Sequence, residues 1–258
     1  MKIAVCVKQI PDPASELFLD PKNRLDRTGK LVLDDADTYG IEMALRLVED
    51  GNEGEVVLFS MAPHNEVAGL RTGLSLGASR AVLISDDVLS NSDSLSTAKV
   101  LSAAISQEDF DLVITGTEST DGYSGIMAAQ LAELMQLPSV TFVKKVTRTQ
   151  GDLLVERQTE LGFDEVKLKL PGLISLTAGS VEPRYPNFKG IMAAKSKPIK
   201  QLLLSDLGID ASEVGTNGAR QEIVDVTVAP TRASGDVIED TGEGYVKIVE
   251  YLEALKIV

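Results

Sequence analysis

The chain has 258 residues, 43% hydrophobic and 25% charged, the composition of a globular protein with one large domain or two modest ones. It carries 39 acidic against 25 basic residues, a net charge of −14, so neither nucleic acid nor an anionic membrane surface has any general attraction for it. One cysteine excludes an internal disulfide and a multi-cysteine metal or iron–sulfur centre, one histidine removes most histidine-based metal sites, and the lack of Trp disfavours base stacking.

The N-terminus, MKIAVCVKQIPDP, holds an apolar run broken by Lys8 and Pro11. It is too short for a membrane span and reads as the first strand, 2–8, of a buried sheet. No integral membrane segment is expected, and the compartment expected is the bacterial cytoplasm, or the mitochondrial matrix in a eukaryote. Helical spacing of Ile41, Ala44, Leu45 and Val48 predicts a helix over 37–49, capped by Asp37 or Thr38. A strand follows at 55–60, then a helix over 66–76 that stops at Gly77, with Val67, Leu70 and Leu74 on one side. A strand at 80–85, a helix opened by Ser92 and Ser94, a strand at 111–116 and a helix over 125–137 complete the first half. Strands alternating with helices predict an α/β fold with a mainly parallel sheet covered on both faces.

Past Pro138, SVTFVKKVTR, GDLLVERQTE and EVKLKLPGLISLT read as strands extending the same sheet, with a hairpin turn at Gln150–Gly151–Asp152. From about 182 the chain reads as irregular, and beyond Asp206 as acidic and turn-rich, with a closing helix near 243–255. Ten acidic and four basic residues between 210 and 258 leave this tail little core of its own.

The most informative motif is ITGTESTDGYSGIMAAQLAEL, 114–134, where a buried strand ends at Gly116 and a helix begins near Gly125. Backbone N–H groups and the positive end of the helix dipole suit a phosphate at such a junction. Gly122 and Gly125 permit close approach, and Ser119, Thr120 and Ser124 offer hydroxyls. The segment has no Gly-Lys-Ser/Thr, so it is not a P-loop, and Ser124 has no convincing base, which argues against a hydrolase. An ordinary strand–helix turn is the plain alternative. Cys6 reads as a buried structural thiol and His64 as a solvated or capping residue. Asp34, Asp35 and Asp37 read as an acidic helix entry in preference to a metal site. Finally, 184–200 is a basic island, with Arg184, Lys189, Lys195, Lys197 and Lys200 interleaved with Tyr185, Phe188, Ile191 and Met192. Apolar side chains ringed by cations suit an acidic protein partner.

VEPRYPNFKGIMAAKSKPI closely resembles the recognition-loop segment of electron transfer flavoprotein β subunits, the FixA-like family. VCVKQIPDP, LRTGLSLGASRAVLI, ESTDGYSG and KLKLPGLISLT resemble other family segments, in the family's order, across nearly the whole chain. The resemblance implies a Rossmann-like nucleotide-binding domain, 1–205, that includes the recognition loop at 182–198. It implies a C-terminal arm, 206–258, that packs on a larger α subunit. It implies an electron carrier, not an enzyme: one FAD shared with the α subunit, a structural AMP, electrons from acyl-CoA or related dehydrogenases, and a quinone oxidoreductase or another acceptor. By position, Cys6 and Val7 fall where adenine packs, Asp37, Thr38, Tyr39 and Gly40 on the adenosine-contacting turn, and Met61 after the second strand. Gly116 and the run Asp121, Gly122, Tyr123, Ser124, Gly125, Ile126, Met127, Ala128 and Ala129 fall on the phosphate side. Phe188 takes the place of the apolar anchor, with Arg184, Tyr185, Ile191, Met192, Lys195 and Lys197 around it. The turn Asp37-Thr38-Tyr39-Gly40 and the short ESTDGYSG loop depart from electron-bifurcating members, which hold a second FAD where others hold AMP, and so favour AMP. A stand-alone adenine-nucleotide regulator is the alternative from another class.

Overall fold

The computed structural model describes residues 1–51, 53–62, 65–227, 229–231, 235, 237–240 and 242–258. His64 lies outside the described residues. Two compact units are formed, Met1–Val224 and Asp225–Val258.

In the first unit the strands are β1 (Lys2–Cys6), β4 (Glu55–Met61), β5 (Arg80–Ile84), β6 (Leu112–Gly116), β7 (Ser139–Arg148), β8 (Asp152–Thr159), β9 (Gly162–Lys169), β10 (Gly172–Leu176) and β11 (Ile199–Leu202). A separate antiparallel pair joins β2 (Gln9–Pro11) to β3 (Leu31–Leu33). The helices are α1 (Asp35–Asp50), α2 (Ala68–Leu76), α3 (Ser94–Ile105), α4 (Met127–Leu134) and α5 (Phe188–Ala194). The nine-stranded sheet runs β11-β5-β4-β1-β6-β10-β7-β8-β9. It is parallel from β11 through β7, and the β8–β9 hairpin adds an antiparallel end. This is the doubly wound, Rossmann-like α/β architecture expected, with the late strands in the same sheet.

Side chains alternate across each strand, and the core divides accordingly. Ile3, Val5 and Val7 meet α1 and α2 through Ile41, Ala44, Leu70 and Leu74 on one face. Ala4 and Cys6 belong to the other face, with Leu101 and Ile105 of α3 and Leu131 of α4. Because both faces are covered, β1 and β6 are buried almost continuously, which is why their sequences read as unbroken apolar runs. The chain winds from β1 outward through β4 to β5, then crosses to β6 on the other side of β1. Its topological switch therefore lies between the C-terminal ends of β1 and β6, where such sheets bind ligands.

Three details differ from expectation. Helix α1 starts two residues earlier than predicted, because Asp34 caps it by accepting from the Ala36 N–H, which removes Asp37 and Thr38 from that role. Helix α3 is likewise capped by Asp93, not by a serine. The stretch read as irregular contains α5, capped by Asn187, and β11, which pairs in parallel with β5. β11 was hidden because it is a four-residue edge strand with Lys200 and Gln201 facing solvent, so no apolar run marks it.

In the second unit, Asp240 accepts from the N–H groups of Gly242 and Gly244 ahead of the closing helix, Gly244–Ala254. That helix exposes Tyr245, Ile248, Val249 and Tyr251.

Candidate nucleotide crevice and docking face

The end of β1, the entry to α1 and the loop after β6 meet at the switch point. The Lys8 N–H donates to Asp37 Oδ2 at 2.6 Å, which turns this carboxylate into the crevice. A Cβ placed on Gly116 would stand 3.1 Å from Asp37 Oδ1, so the carboxyl group lies against the end of β6. Asp37 is 7% exposed, and burial pushes its carboxyl up to about 8. Burial, with the Asp37 carboxylate second, also pushes the Cys6 thiol above the ordinary thiol range, as befits an inert core cysteine. Gly40 is buried against Val5 and Ile114, Thr38 and Tyr39 are half-buried on the first turns of α1, and Met61 is half-buried at the end of β4.

The loop after β6 is stapled by charge. Asp34, fully buried, accepts from the Thr120 N–H at 2.8 Å and from its hydroxyl at 3.1 Å. Asp121 points inward and is gripped by Lys8 Nζ at 2.6 Å and by Arg27. Burial raises the Asp121 carboxyl, but Lys8 and Arg27 outweigh it and hold the group below the usual carboxylate range. Thr120, read from sequence as a hydroxyl for the ligand, is therefore committed to Asp34, whereas Ser124 is exposed.

Gly122 and Tyr123 fold back, their N–H groups both donating to the Ser119 carbonyl. Tyr123 and Gly125 adopt positive φ, 45° and 65°, a turn that glycine makes without strain at the second position. Helix α4 then begins at Met127 after Ile126, which offers no side-chain cap. Among the described residues, the N–H groups of Met127, Ala128 and Ala129 find no hydrogen-bond acceptor. Unpaired N–H groups at the positive end of a helix dipole present the donor set an anionic oxygen requires.

The basic island folds onto α1 and α2 as a clamped platform. Arg184 pairs with Glu42 at 2.6 Å and with Glu49 at 2.7 Å, and Arg46 donates to the Glu182 carbonyl. Although burial raises the Glu42 carboxyl, the hydrogen bonds from Arg184 and Arg46 hold it below the usual range. Arg71 reaches the carbonyls of Ala194 and Lys197, and Lys197 Nζ reaches those of Leu74 and Ala78 at the end of α2. Gly190 permits the contact: a Cβ there would fall 2.4 Å from the Ser75 carbonyl. The outer surface of this clamp carries Tyr185 (90% exposed) and Phe188 (80% exposed), with Ile191 and Met192 beside them. Lys189 and Lys195 are exposed at its rim. The seven docking residues named from sequence thus divide into outward apolar groups, an exposed Lys195 without an ion pair among the described residues, and two cations, Arg184 and Lys197, spent on holding the segment down.

The electron transfer flavoprotein domain matches residues 23–207. The electron transfer flavoprotein subunit beta of Mycobacterium tuberculosis is 39% identical over 263 residues, covering 99% of each chain. This chain belongs to the electron transfer flavoprotein family, as a β subunit. The corresponding subunit of Thermoanaerobacterium thermosaccharolyticum is 33% identical with both chains wholly covered. The Caffeyl-CoA reductase-Etf complex subunit CarD of Acetobacterium woodii is 31% identical over 93% of each. Family membership makes the protein an electron-transfer component that works in association with flavin and with an α subunit. Among the described residues no helix is long and apolar enough to cross a membrane.

Sequence reading missed Lys8, Arg27 and Glu42. Arg27 and Asp121 are 94 positions apart, and Arg184 and Glu42 are 142 apart, so no local pattern announces either pair. Lys8 did carry a signal, since it is the first charge after a buried parallel strand, where switch-point residues stand.

Proposed function

We propose that the chain works as the β subunit of a non-bifurcating electron transfer flavoprotein, taking electrons from acyl-CoA-type dehydrogenases and passing them to a quinone oxidoreductase or another acceptor. It holds AMP in the crevice and completes the surroundings of one FAD that the α subunit binds. It does so in the cytoplasm of a bacterial cell. The observation that carries the nucleotide assignment is the uncapped start of α4, whose N–H groups at 127–129 have no acceptor among the described residues and lie beside the fold-back at Gly122 and Tyr123. Phosphate is assigned to those N–H groups and to Ser124, and adenosine to the turn at Asp37–Gly40 with Cys6, Val7 and Met61 nearby. Asp121 is a positioning residue here, since Lys8 and Arg27 occupy both its oxygens. Residues 206–258 are assigned to the arm on the α subunit, and the exposed apolar positions of the closing helix supply area for that contact.

The docking face is assigned to the dehydrogenase, with Phe188 as the anchor and Tyr185, Ile191, Met192, Lys189 and Lys195 around it. The test is the rate at which an acyl-CoA dehydrogenase reduces the heterodimer, followed by flavin absorbance, for the native chain and for Phe188→Ala. The variant should require about tenfold more partner for half-maximal rate, with flavin content unchanged. Loss of flavin with no change in that requirement contradicts the assignment.

A further inference from the structure

Three inward-turned carboxylates share the crevice, and two of them are fully satisfied. Asp34 accepts from Ala36 N–H and from the Thr120 hydroxyl on Oδ1, and from the Thr120 N–H on Oδ2. Asp121 accepts Lys8 on one oxygen and Arg27 on the other. Asp37 differs: Oδ2 accepts the Lys8 N–H, while Oδ1, against Gly116, has no hydrogen-bond partner among the described residues. The charged and titratable groups that act on Asp37 are Cys6 and Lys8 at the end of β1, Asp34 at the start of α1, and Asp121 from the loop after β6, with Arg27 reaching the site through Asp121. Lys8 favours an ionised Asp37, but burial together with the charges of Asp34 and Asp121 outweighs it, and both nearby cations are already engaged with Asp121.

We propose that Asp37 serves the bound nucleotide as a neutral acid, donating its carboxyl O–H from Oδ1 to an acceptor atom of the adenosine, so that nucleotide binding takes up one proton from solvent. This deepens the AMP reading and rests on it. The chemistry follows from the charge balance. A nucleotide monophosphate brings two further negative charges into a site whose cations are already committed, and each of them disfavours ionised Asp37. An ionised Asp37 can only accept: it could meet the ribose hydroxyls or the 6-amino group of adenosine, but it would oppose the lone pairs of the ring nitrogens, which the neutral acid serves as a donor. The buried carboxyl of the free chain, already pushed up to about 8, is raised further by the ligand. Between the free and the bound values, binding and protonation are reciprocal: each favours the other.

The test is calorimetric titration of AMP into the nucleotide-depleted heterodimer, in buffers of different ionisation enthalpy, between about pH 7 and pH 9, where the AMP phosphate (second pKa about 6) is a dianion throughout. The native protein should weaken toward tenfold per pH unit above about 8, with proton uptake approaching one per AMP. Asp37→Asn, which keeps an acceptor for the Lys8 N–H and a donor for the ligand, should bind with no proton uptake and a flat profile. Uptake of no proton by the native protein at about pH 9, where the free carboxyl is ionised, overturns the proposal, and that measurement needs no variant. Equal uptake by native protein and Asp37→Asn also overturns it, since another group would then be titrating. Absence of AMP binding at every pH in both proteins removes the nucleotide reading itself, and the proposal with it.

Discussion

The crevice and the docking face are both surface segments pinned by ion pairs, yet they turn their charges in opposite directions. In the crevice the carboxylates of Asp34, Asp37 and Asp121 point inward, held by the Lys8 and Thr120 N–H groups and by the Lys8 and Arg27 side chains. On the docking face Arg184 and Lys197 point inward, toward α1 and α2, and leave Tyr185 and Phe188 outside, with Lys189 and Lys195 exposed at the rim. The difference teaches where to look for energy. Removing a charge from the crevice alters how a ligand is held, whereas removing one from beneath the docking face alters whether the face exists.

The largest effect should come from Asp37. Its folded-state carboxyl titrates at about 8 against 3.8 when unfolded, so the folded chain holds an extra proton between those values. Stability should therefore decline as pH rises from about 4 to about 8 and level off above, a loss on the order of a few kcal/mol. Asp37→Asn should remove that decline and exceed the native protein in stability at about pH 9. Urea midpoints across this range read the sign directly. An unchanged slope would place Asp37 in a solvated setting and break the contrast between the regions.

Beneath the docking face, Arg184→Ala leaves the Glu42 carboxylate, whose side chain is 4% exposed, with Arg46 and the backbone N–H of residue 184 but without the guanidinium. A fully buried pair costs about 3–5 kcal/mol when one member is removed, and because Arg184 is a third exposed the expected loss is about 2 kcal/mol. Donor reduction should slow as well, because segment 182–188 loosens. Phe188→Ala sharpens the same contrast from above: no change in thermal midpoint, because the ring is 80% exposed, but the tenfold weaker docking already described. The smallest effect is electrostatic steering. Raising salt from about 50 to about 200 mM should slow encounter with the donor about threefold, and Lys195→Ala should flatten that dependence.

Much of the fold is legible in the sequence because buried parallel strands must be apolar on both faces. Hence β1, β4, β5 and β6 stand out as short runs bounded by helical periodicity. What escapes is structure made by long-range partners. β11 is a strand because β5 offers it an edge, and α5 is held by Arg71 and the close approach of Gly190, none of which local propensity encodes. The crevice was half legible in the same sense. The glycine and hydroxyl content of 116–125 marked the loop, but sequence could not tell which polar groups face a ligand and which are committed internally. Asp34 rather than Asp37 caps α1 because the chain enters the helix from a hydrogen bond between Asp34 N–H and the Lys8 carbonyl, a contact set by the β2–β3 pairing.

The central claim is that this β subunit holds AMP in its own crevice while completing the site of a single FAD. Acid release of bound small molecules from the purified heterodimer, with AMP and FAD each quantified per complex, tests it most directly. The account predicts one FAD and one AMP. Two FAD and no AMP would contradict it and make the crevice a second flavin site.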